Sequence, residues 1–287
     1  VEDYNEEDVV WHFNPKHKWS LKNNILSGIC IMAWIKLLWR FRKDIEWIRY
    51  AHRIIFITLM SIFNSILAIP DTLFYRNEIK KQEINKRPVF ILGHPRTGTT
   101  HLHNILSLDE DQFYFCNTFQ VGFPSSFLCC ESFGSKILAP ILDETRPMDN
   151  MKLTFKIPQE DELATNILSS GCSPYMPIIL PEKEKYFRKY FRFEEDCSSE
   201  DFNSWLSSFT YFFKKLTLKI KLTKGEEAAK NIRLLIKSPV HTGRVKTLLS
   251  IFPDAQFIYI HRNPYEVFQS ALHLADSYYW FCHLQKA

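Results

Sequence analysis

The sequence predicts an α/β fold, a parallel sheet flanked by helices, preceded by a hydrophobic N-terminal helical region. Three short apolar segments, at 89–92, 232–236 and 256–260, are each followed by a turn and a helical pattern, as in successive βα units. Residues 24–70 form a separate and very apolar stretch. With 46% hydrophobic and 24% charged residues, the 287-residue chain can fill a large core and does not resemble a disordered protein.

Charge and cysteine content narrow the class of partner. The chain has 36 Lys and Arg against 32 Asp and Glu, a net charge of +4, which is too small for a nucleic-acid-binding surface. The seven cysteines are odd in number, contain no C-x-x-C pair and include the adjacent Cys129 and Cys130. That pattern suits neither a zinc site nor a disulfide framework, so we expect mostly reduced, buried thiols and no metal.

The N-terminal region, 1–87, is expected to be a polar arm over 1–23, then two apolar runs and a charged linker over 77–87. The second run, 54–69, has no charged residue but only 16 residues, short of the roughly 20 that cross a bilayer. It therefore predicts either a buried or membrane-apposed helical hairpin or a true membrane anchor.

Residues 88–287 form the expected second unit. Between its first and second βα units, residues 110–230 have a mainly helical pattern. One long amphipathic helix is predicted there, with an aromatic face that belongs to the core. The residues at helical spacing on that face are Phe202, Trp205, Phe209, Phe212, Leu216 and Ile220.

The loop between the first strand and its helix has the G-x-x-x-x-G frame of a P-loop, from Gly93 to Gly98. Such a loop binds phosphate oxygens with backbone N–H groups at a helix N-terminus. Thr99 replaces the usual Lys, the cation Arg96 lies inside the loop, and no strand is followed by an acidic residue that would hold Mg²⁺. This favours transfer of a group with less charge than a phosphoryl group, such as a sulfuryl group.

These residues carry a family resemblance. The run 95–100, Pro-Arg-Thr-Gly-Thr-Thr, resembles the 5′-phosphosulfate loop of sulfotransferases that use 3′-phosphoadenosine 5′-phosphosulfate (PAPS), in the form found in the broad bacterial and protist branch. The run 262–264, Arg-Asn-Pro, with Ser270 six residues later, resembles the family's 3′-phosphate motif. The resemblance covers about 88–287 and implies a P-loop-like sheet, PAPS as co-substrate and no metal. It also implies a C-terminal truncation, because the family's last segment is not seen.

The resemblance implies roles for the residues of both motifs. Arg96 would neutralise the charge that develops on the leaving nucleotide. Thr97, Gly98, Thr99 and Thr100 would hold the 5′-phosphate and the sulfate, and Arg262 and Ser270 would hold the 3′-phosphate.

A general base must accept the proton of the acceptor hydroxyl or amine, and the sequence offers three candidates. Glu160 and Glu162 start a predicted helix and point about 200° apart, so only one of them can face a cleft. His241 lies where the second strand meets its helix, at the edge of the sheet that usually binds ligands, with Lys237 beside it. Of the two histidines after the loop, His101 and His103, one is expected to pack inside.

Two other functions remain open at this level. A small-molecule kinase would need Mg²⁺, and a non-catalytic member of the same fold would only bind a nucleotide or a membrane. The acceptor can be a small molecule, a lipid or a carbohydrate. A membrane-associated, Golgi-type location and a cytoplasmic one are both compatible with the sequence, and the oligomeric state is not indicated.

Overall fold

The computed structural model describes residues 19–145, 151–193, 196–278 and 282–286, so most of the expected N-terminal arm lies outside them. Its sheet has four parallel strands in the order β2-β3-β1-β4. This confirms the predicted α/β class and its three apolar strands. The sequence did not indicate β2, because it has only two residues. The strands are β1 (Val89–Leu92), β2 (Phe113–Tyr114), β3 (Arg233–Lys237) and β4 (Gln256–Tyr259).

The register of the sheet brings three loops to one edge. On β1, Ile91 pairs with Lys237 of β3, and Leu92 pairs with Tyr259 of β4. Because all three strands run in the same direction, their carboxyl ends meet at that edge. The phosphate loop after β1 therefore lies between the segments that follow β3 and β4.

Helices cover the sheet and occupy most of the chain. Eleven α-helices lie in the described residues: α1 (Ile31–Arg40), α2 (Ala51–Lys81), α3 (Thr99–Leu106), α4 (Thr118–Gly122), α5 (Phe127–Ile137), α6 (Asp161–Leu168), α7 (Glu184–Phe187), α8 (Ser199–Lys224), α9 (Glu226–Asn231), α10 (Val245–Ile251) and α11 (Pro264–Tyr278). Short 3₁₀ turns occur at Ala139–Ile141, Met176–Ile178, Pro181–Lys183, Arg188–Phe191 and Pro239–Gly243.

The hydrophobic N-terminal region forms the helical hairpin α1–α2. The 31-residue α2 continues through Pro70 to Lys81, so residues 77–81, predicted as linker, belong to the helix. Contacts on both sides of the proline hold it: Asn64 and Asp71 are buried and hydrogen-bonded to neighbouring segments. Within the described chain, α2 alone is long and apolar enough to cross a membrane by length and composition.

One hydrophobic core joins the hairpin to the sheet. Ile57 of α2, Phe90 of β1 and Phe209 of α8 belong to the same buried cluster. Five of the six predicted aromatic-face residues of α8 are fully buried, and Phe202 is partly buried against them, which confirms the core interpretation. All seven cysteines are free and four are buried, as expected. The division of the chain at residue 87 stays a prediction.

Candidate active site

The phosphate loop is shaped by residues with left-handed backbone conformations. Gly93 has φ +155°, and a Cβ atom there would come within 2.6 Å of the Ile260 carbonyl oxygen, so only glycine fits. Gly98 (φ +100°) caps α3, and Arg96 itself has φ +73°. Arg96 therefore holds a conformation that a non-glycine residue rarely adopts, as is common at functional sites.

Hydrogen bonds of threonine side chains stabilise the loop. Thr97 donates from Oγ1 to the His94 carbonyl oxygen over 2.8 Å, and the Gly93 N–H donates to Thr242 Oγ1 over 3.0 Å. Thr97 and Thr99 are buried. The loop leads into the first turn of α3, whose N–H groups have no acceptor inside the helix. Loops of this shape at a helix N-terminus commonly bind anions.

Arg96 connects the two predicted nucleotide-binding motifs. Its Nε atom donates to Ser270 Oγ of α11 over 2.9 Å, across 174 residues of sequence. Arg262, at the end of β4, is half-exposed and pairs with Glu266 over 2.6 Å. The structure thus brings Arg96 and Ser270 together, while the Nε atom of Arg262 is turned toward its own helix.

Glu160 lies opposite the phosphate loop. Of the two carboxylates that the sequence offered, it is the one that faces the cleft. Its Oε1 atom accepts a hydrogen bond from Lys237 Nζ over 2.6 Å, and its Oε2 atom accepts one from the Tyr175 hydroxyl over 2.5 Å. Lys237 Nζ also lies 3.2 Å from Thr100 Oγ1, in the first turn of α3. The Glu160 side chain keeps 21% of its surface exposed, whereas that of Lys237 keeps 3%.

Glu162, the second predicted carboxylate, is fully buried. It forms a two-pronged ion pair with Arg244, with Arg244 Nη2 3.0 Å from Oε1, and accepts a hydrogen bond from Ser173. The Arg244 guanidinium stacks near Phe193 and Trp205. Since neither charge reaches the cleft, the geometry gives this pair a structural role.

His241, the third candidate, is also fully buried and lies among the aromatic rings of Phe90 and Phe209. Its Nε2 atom lies 2.9 Å from Asp161 Oδ2, and Ser238 donates to Oδ1 of the same carboxylate. Burial alone would raise the pKa of Asp161, but His241 and the hydrogen bond from Ser238 hold it below its usual value. His241 is therefore placed to orient α6 rather than to reach an acceptor.

Of the two histidines that follow the loop, one is buried and one is exposed, as the sequence predicts. His103 is fully buried against Phe115, and burial followed by the nearby Lys237 lowers its pKa to about 3. It is neutral at physiological pH. His101 is exposed.

A large cavity of about 1100 Å³ runs from the phosphate loop past Glu160 into an apolar chamber. His94 and Pro95 border its loop end, with Glu160 and Tyr175 next to them. In the segment 113–133, Phe123 lines the cavity, whereas Phe119 and Phe127 pack in the core. The remaining wall is mainly apolar and includes Val121, Leu142, Leu153, Phe155, Leu163, Ile167, Ile178, Phe187 and Phe191.

Comparison with known proteins identifies the family. A sequence profile of the sulfotransferase family matches residues 88–285. The chain belongs to the sulfotransferase family. Curated relatives from Mycobacterium bovis and Mycobacterium tuberculosis, both named omega-hydroxy-beta-dihydromenaquinone-9 sulfotransferase Stf3, are 30% identical over 259 residues, which is 90% of this chain. The chain spans 63% of the length of these sulfotransferases.

Solved sulfotransferases share the fold. STF1 from M. tuberculosis superposes with a TM-score of 0.53 at 16% identity, over 84% of this chain and 63% of that one. STF9 from Mycobacterium avium gives 0.50 at 18% identity, over 88% and 68%. Because the 259 matched residues outnumber the 200 from 88 to 287, the similarity to the Stf3 proteins reaches into the helical hairpin.

Two components of the site were missed or underweighted at the sequence level. Tyr175 gave no signal, because it lies in an irregular segment after α6. Lys237 was considered for the site beside His241 at the ligand-binding edge, but the sequence did not indicate its contact with Glu160. Across the described part of the chain, no cluster of three His, Cys, Asp or Glu could hold a metal ion.

Proposed function

We propose that this member of the sulfotransferase family transfers a sulfuryl group from PAPS to the hydroxyl group of an apolar, lipid-like alcohol. The observation that carries the proposal is the position of Glu160, which borders both the phosphate loop and the apolar cavity. A carboxylate there can accept a proton from a hydroxyl group at the end of an apolar molecule.

The donor would lie along the sheet edge. Backbone N–H groups of residues 97–100 would hold the 5′-phosphate and the sulfate at the N-terminus of α3. Ser270 and Arg262 would hold the 3′-phosphate, for which the side chain of Arg262 would turn from Glu266 toward the nucleotide. Arg96, whose hydrogen bond to Ser270 joins the two motifs, would lie between both ends of the donor.

In the proposed reaction the acceptor oxygen attacks sulfur while its proton passes to Glu160. A bond forms between the acceptor oxygen and sulfur, and the bond from sulfur to the bridging oxygen of the 5′-phosphate breaks. 3′-Phosphoadenosine 5′-phosphate leaves with that electron pair, and Arg96 and Lys237 stabilise the negative charge that develops. Lys237 also donates a hydrogen bond to Glu160 and so holds this carboxylate at the edge of the cavity.

The wall of the cavity and the names of the relatives support this class of acceptor. The chamber beyond Glu160 is mainly apolar and large enough for a drug-sized molecule. The mycobacterial relatives are named for a hydroxylated menaquinone, a lipid with a terminal hydroxyl group. An apolar alcohol fits these walls better than a carbohydrate, which needs many polar partners.

Calorimetric titration with 3′-phosphoadenosine 5′-phosphate, with and without Mg²⁺, tests the donor site. We expect metal-independent binding that weakens by about tenfold or more, the cost of losing a charged phosphate contact, when the 3′-phosphate is absent or Arg262 becomes Ala. Arg76→Ala, which removes an exposed arginine on α2, is the matched control and should bind normally.

Product analysis with PAPS and a series of primary alcohols tests the acceptor. We expect turnover that increases with chain length, because each added methylene buries more apolar surface in the chamber. Preferred binding of ATP with Mg²⁺ would instead support the kinase. Tight binding of the nucleotide with no transfer to any alcohol would support a non-catalytic member of the family.

A further inference from the structure

The exposed face of α2 is mainly apolar between residues 54 and 74, whereas Lys36 on α1 and the charged residues from Arg76 to Lys81 are also exposed. On α2, exposed side chains recur every three or four residues over about 27 Å, at 1.5 Å per residue. Between residues 54 and 70 none of them is charged. On α1, Met32, Ile35 and Trp39 extend the same character. The α2 stripe consists of Ile55, Leu59, Ile62, Ile66, Ile69 and Leu73, each between 46% and 72% exposed.

The face of α2 that packs against the protein contains the buried polar groups of the helix, beside Ile54, Ile57 and Ile79 of the core. Asn64 donates to the Ser27 carbonyl oxygen over 2.6 Å, and Arg53 donates to the His283 carbonyl oxygen over 2.8 Å. Asp71 forms a fully buried ion pair with Lys215 over 2.8 Å. A helix at the surface of a water-soluble domain has the opposite arrangement, with its apolar side inward. The polarity of α2 therefore indicates an apolar environment on its outer side.

These contacts also fix the orientation of α2 relative to the domain. Arg53 holds its beginning, Asp71 its middle, and Lys214 of α8 donates to the Lys80 carbonyl oxygen at its end. The helix lies along the domain from one end to the other. It cannot cross a bilayer without carrying α8 and its polar surface into the lipid, so a membrane would meet α2 from the side.

Charge and tryptophans indicate the chemistry of the partner. Residues 31–81 contain nine Lys and Arg against four Asp and Glu, a net charge of +5 in a chain whose total is +4. The exposed basic residues flank the uncharged stripe on both sides, for example Arg42 and Lys81. Within the described parts of the chain, three of five tryptophans are exposed, and all three, Trp19, Trp39 and Trp47, precede α2. Basic residues and exposed tryptophans around an apolar face suit the headgroup region of an anionic bilayer.

We propose that the α1–α2 face is a docking surface for an anionic lipid bilayer, on which the hairpin lies in the plane of the membrane without crossing it. The segment 23–27 that leads into α1 borders the cavity, so docking brings the cavity close to the lipid surface. Docking does not depend on the proposed reaction, and its test needs no activity.

Flotation with lipid vesicles tests the docking. The protein should float with vesicles of phosphatidylcholine and phosphatidylglycerol, and less with phosphatidylcholine alone. Leu59→Glu with Ile66→Glu should lower the partition coefficient about tenfold or more, because it places two charges in the buried stripe. Leu108→Glu, at an apolar residue that is 80% exposed after α3, is the matched control and should float normally. Thermal unfolding followed by circular dichroism checks that all three proteins are folded.

Spin labels at positions 55, 62 and 69, in a background with Cys30, Cys129 and Cys197 changed to Ser, report the orientation. In-plane docking places the three labels at equal depth, whereas a helix that crosses the bilayer places the central label deepest. A depth maximum at 62 overturns the in-plane orientation. A dimer in solution that Leu59→Glu dissociates, without vesicle binding by the wild type, assigns the face to a second copy of the chain and overturns the docking.

Discussion

The Nε atom of Arg96 donates a hydrogen bond to the Ser270 hydroxyl oxygen over 2.9 Å and so ties the loop after β1 to α11. The two segments resemble motifs that hold opposite ends of one nucleotide. Arg96 has a left-handed backbone conformation, which this contact and the neighbouring glycines help to maintain. The two halves of the donor site are therefore coupled, and a change in one should be measurable in the other.

We expect Ser270→Ala to weaken binding of 3′-phosphoadenosine 5′-phosphate and to reduce its preference over the analogue without the 3′-phosphate. The lost hydrogen bonds should cost about 0.5 to 1.5 kcal/mol each. Calorimetry on both ligands measures the change. Ser250→Ala, which removes an exposed hydroxyl that donates to the nearby Thr247 carbonyl oxygen, serves as the control. Equal loss for both ligands would contradict a specific role of Ser270 at the 3′-phosphate.

Replacing Glu160 should separate catalysis from donor binding. In Glu160→Gln the amide keeps the shape of the carboxylate but cannot accept a proton, so kcat should fall by a factor of about 10² to 10⁴. The affinity for 3′-phosphoadenosine 5′-phosphate should change little. Glu184→Gln, at a carboxylate that borders the same cavity and pairs with Arg188, should keep its kcat. A Glu160→Gln enzyme with normal turnover would rule out Glu160 as the base.

Glu162 should matter for stability rather than for chemistry. Glu162→Gln leaves the fully buried Arg244 without its counter-charge, which should lower the free energy of unfolding by about 3 to 5 kcal/mol. Replacing both residues with Met should recover much of this loss, because no buried charge remains. Urea unfolding of the single and double variants measures both effects. If Glu162→Gln unfolds like the wild type but loses turnover, the structural role is wrong.

Stability should decrease in acid because of His103. Burial lowers the pKa of this imidazole in the folded protein to about 3, whereas in the unfolded chain it is near 6.5. The unfolded state therefore binds the proton first, and the stabilisation, complete above pH 6.5, is lost as the pH falls toward 3. Urea unfolding at several pH values between 6.5 and 4.5 gives the free energy of unfolding. That free energy should fall less steeply with decreasing pH for His103→Leu than for wild type. His101→Leu, at the exposed neighbour, should keep the wild-type slope.

The sequence by itself determined the parts of the protein that depend on local backbone chemistry. Three short apolar runs predict three parallel strands, and the glycines at 93 and 98 predict the loop, since their backbone conformations favour glycine. The aromatic spacing on α8 predicts its buried face in the same way. All of this information lies in residues that are close in sequence, and the family resemblance also depends on such short runs.

The tertiary structure alone decided which charged groups meet. Residues 160, 161 and 162 are three adjacent acids, and their partners are Lys237, His241 and Arg244. The partners lie 77 to 82 residues away, and only the docking of α6 against the end of β3 determines which acid faces the cavity. The apolar run of α2 is compatible with a core helix, a membrane span or a docked helix. Its buried polar contacts with the domain select which face points outward, because ion pairs and hydrogen bonds out of reach of water must be satisfied within the protein.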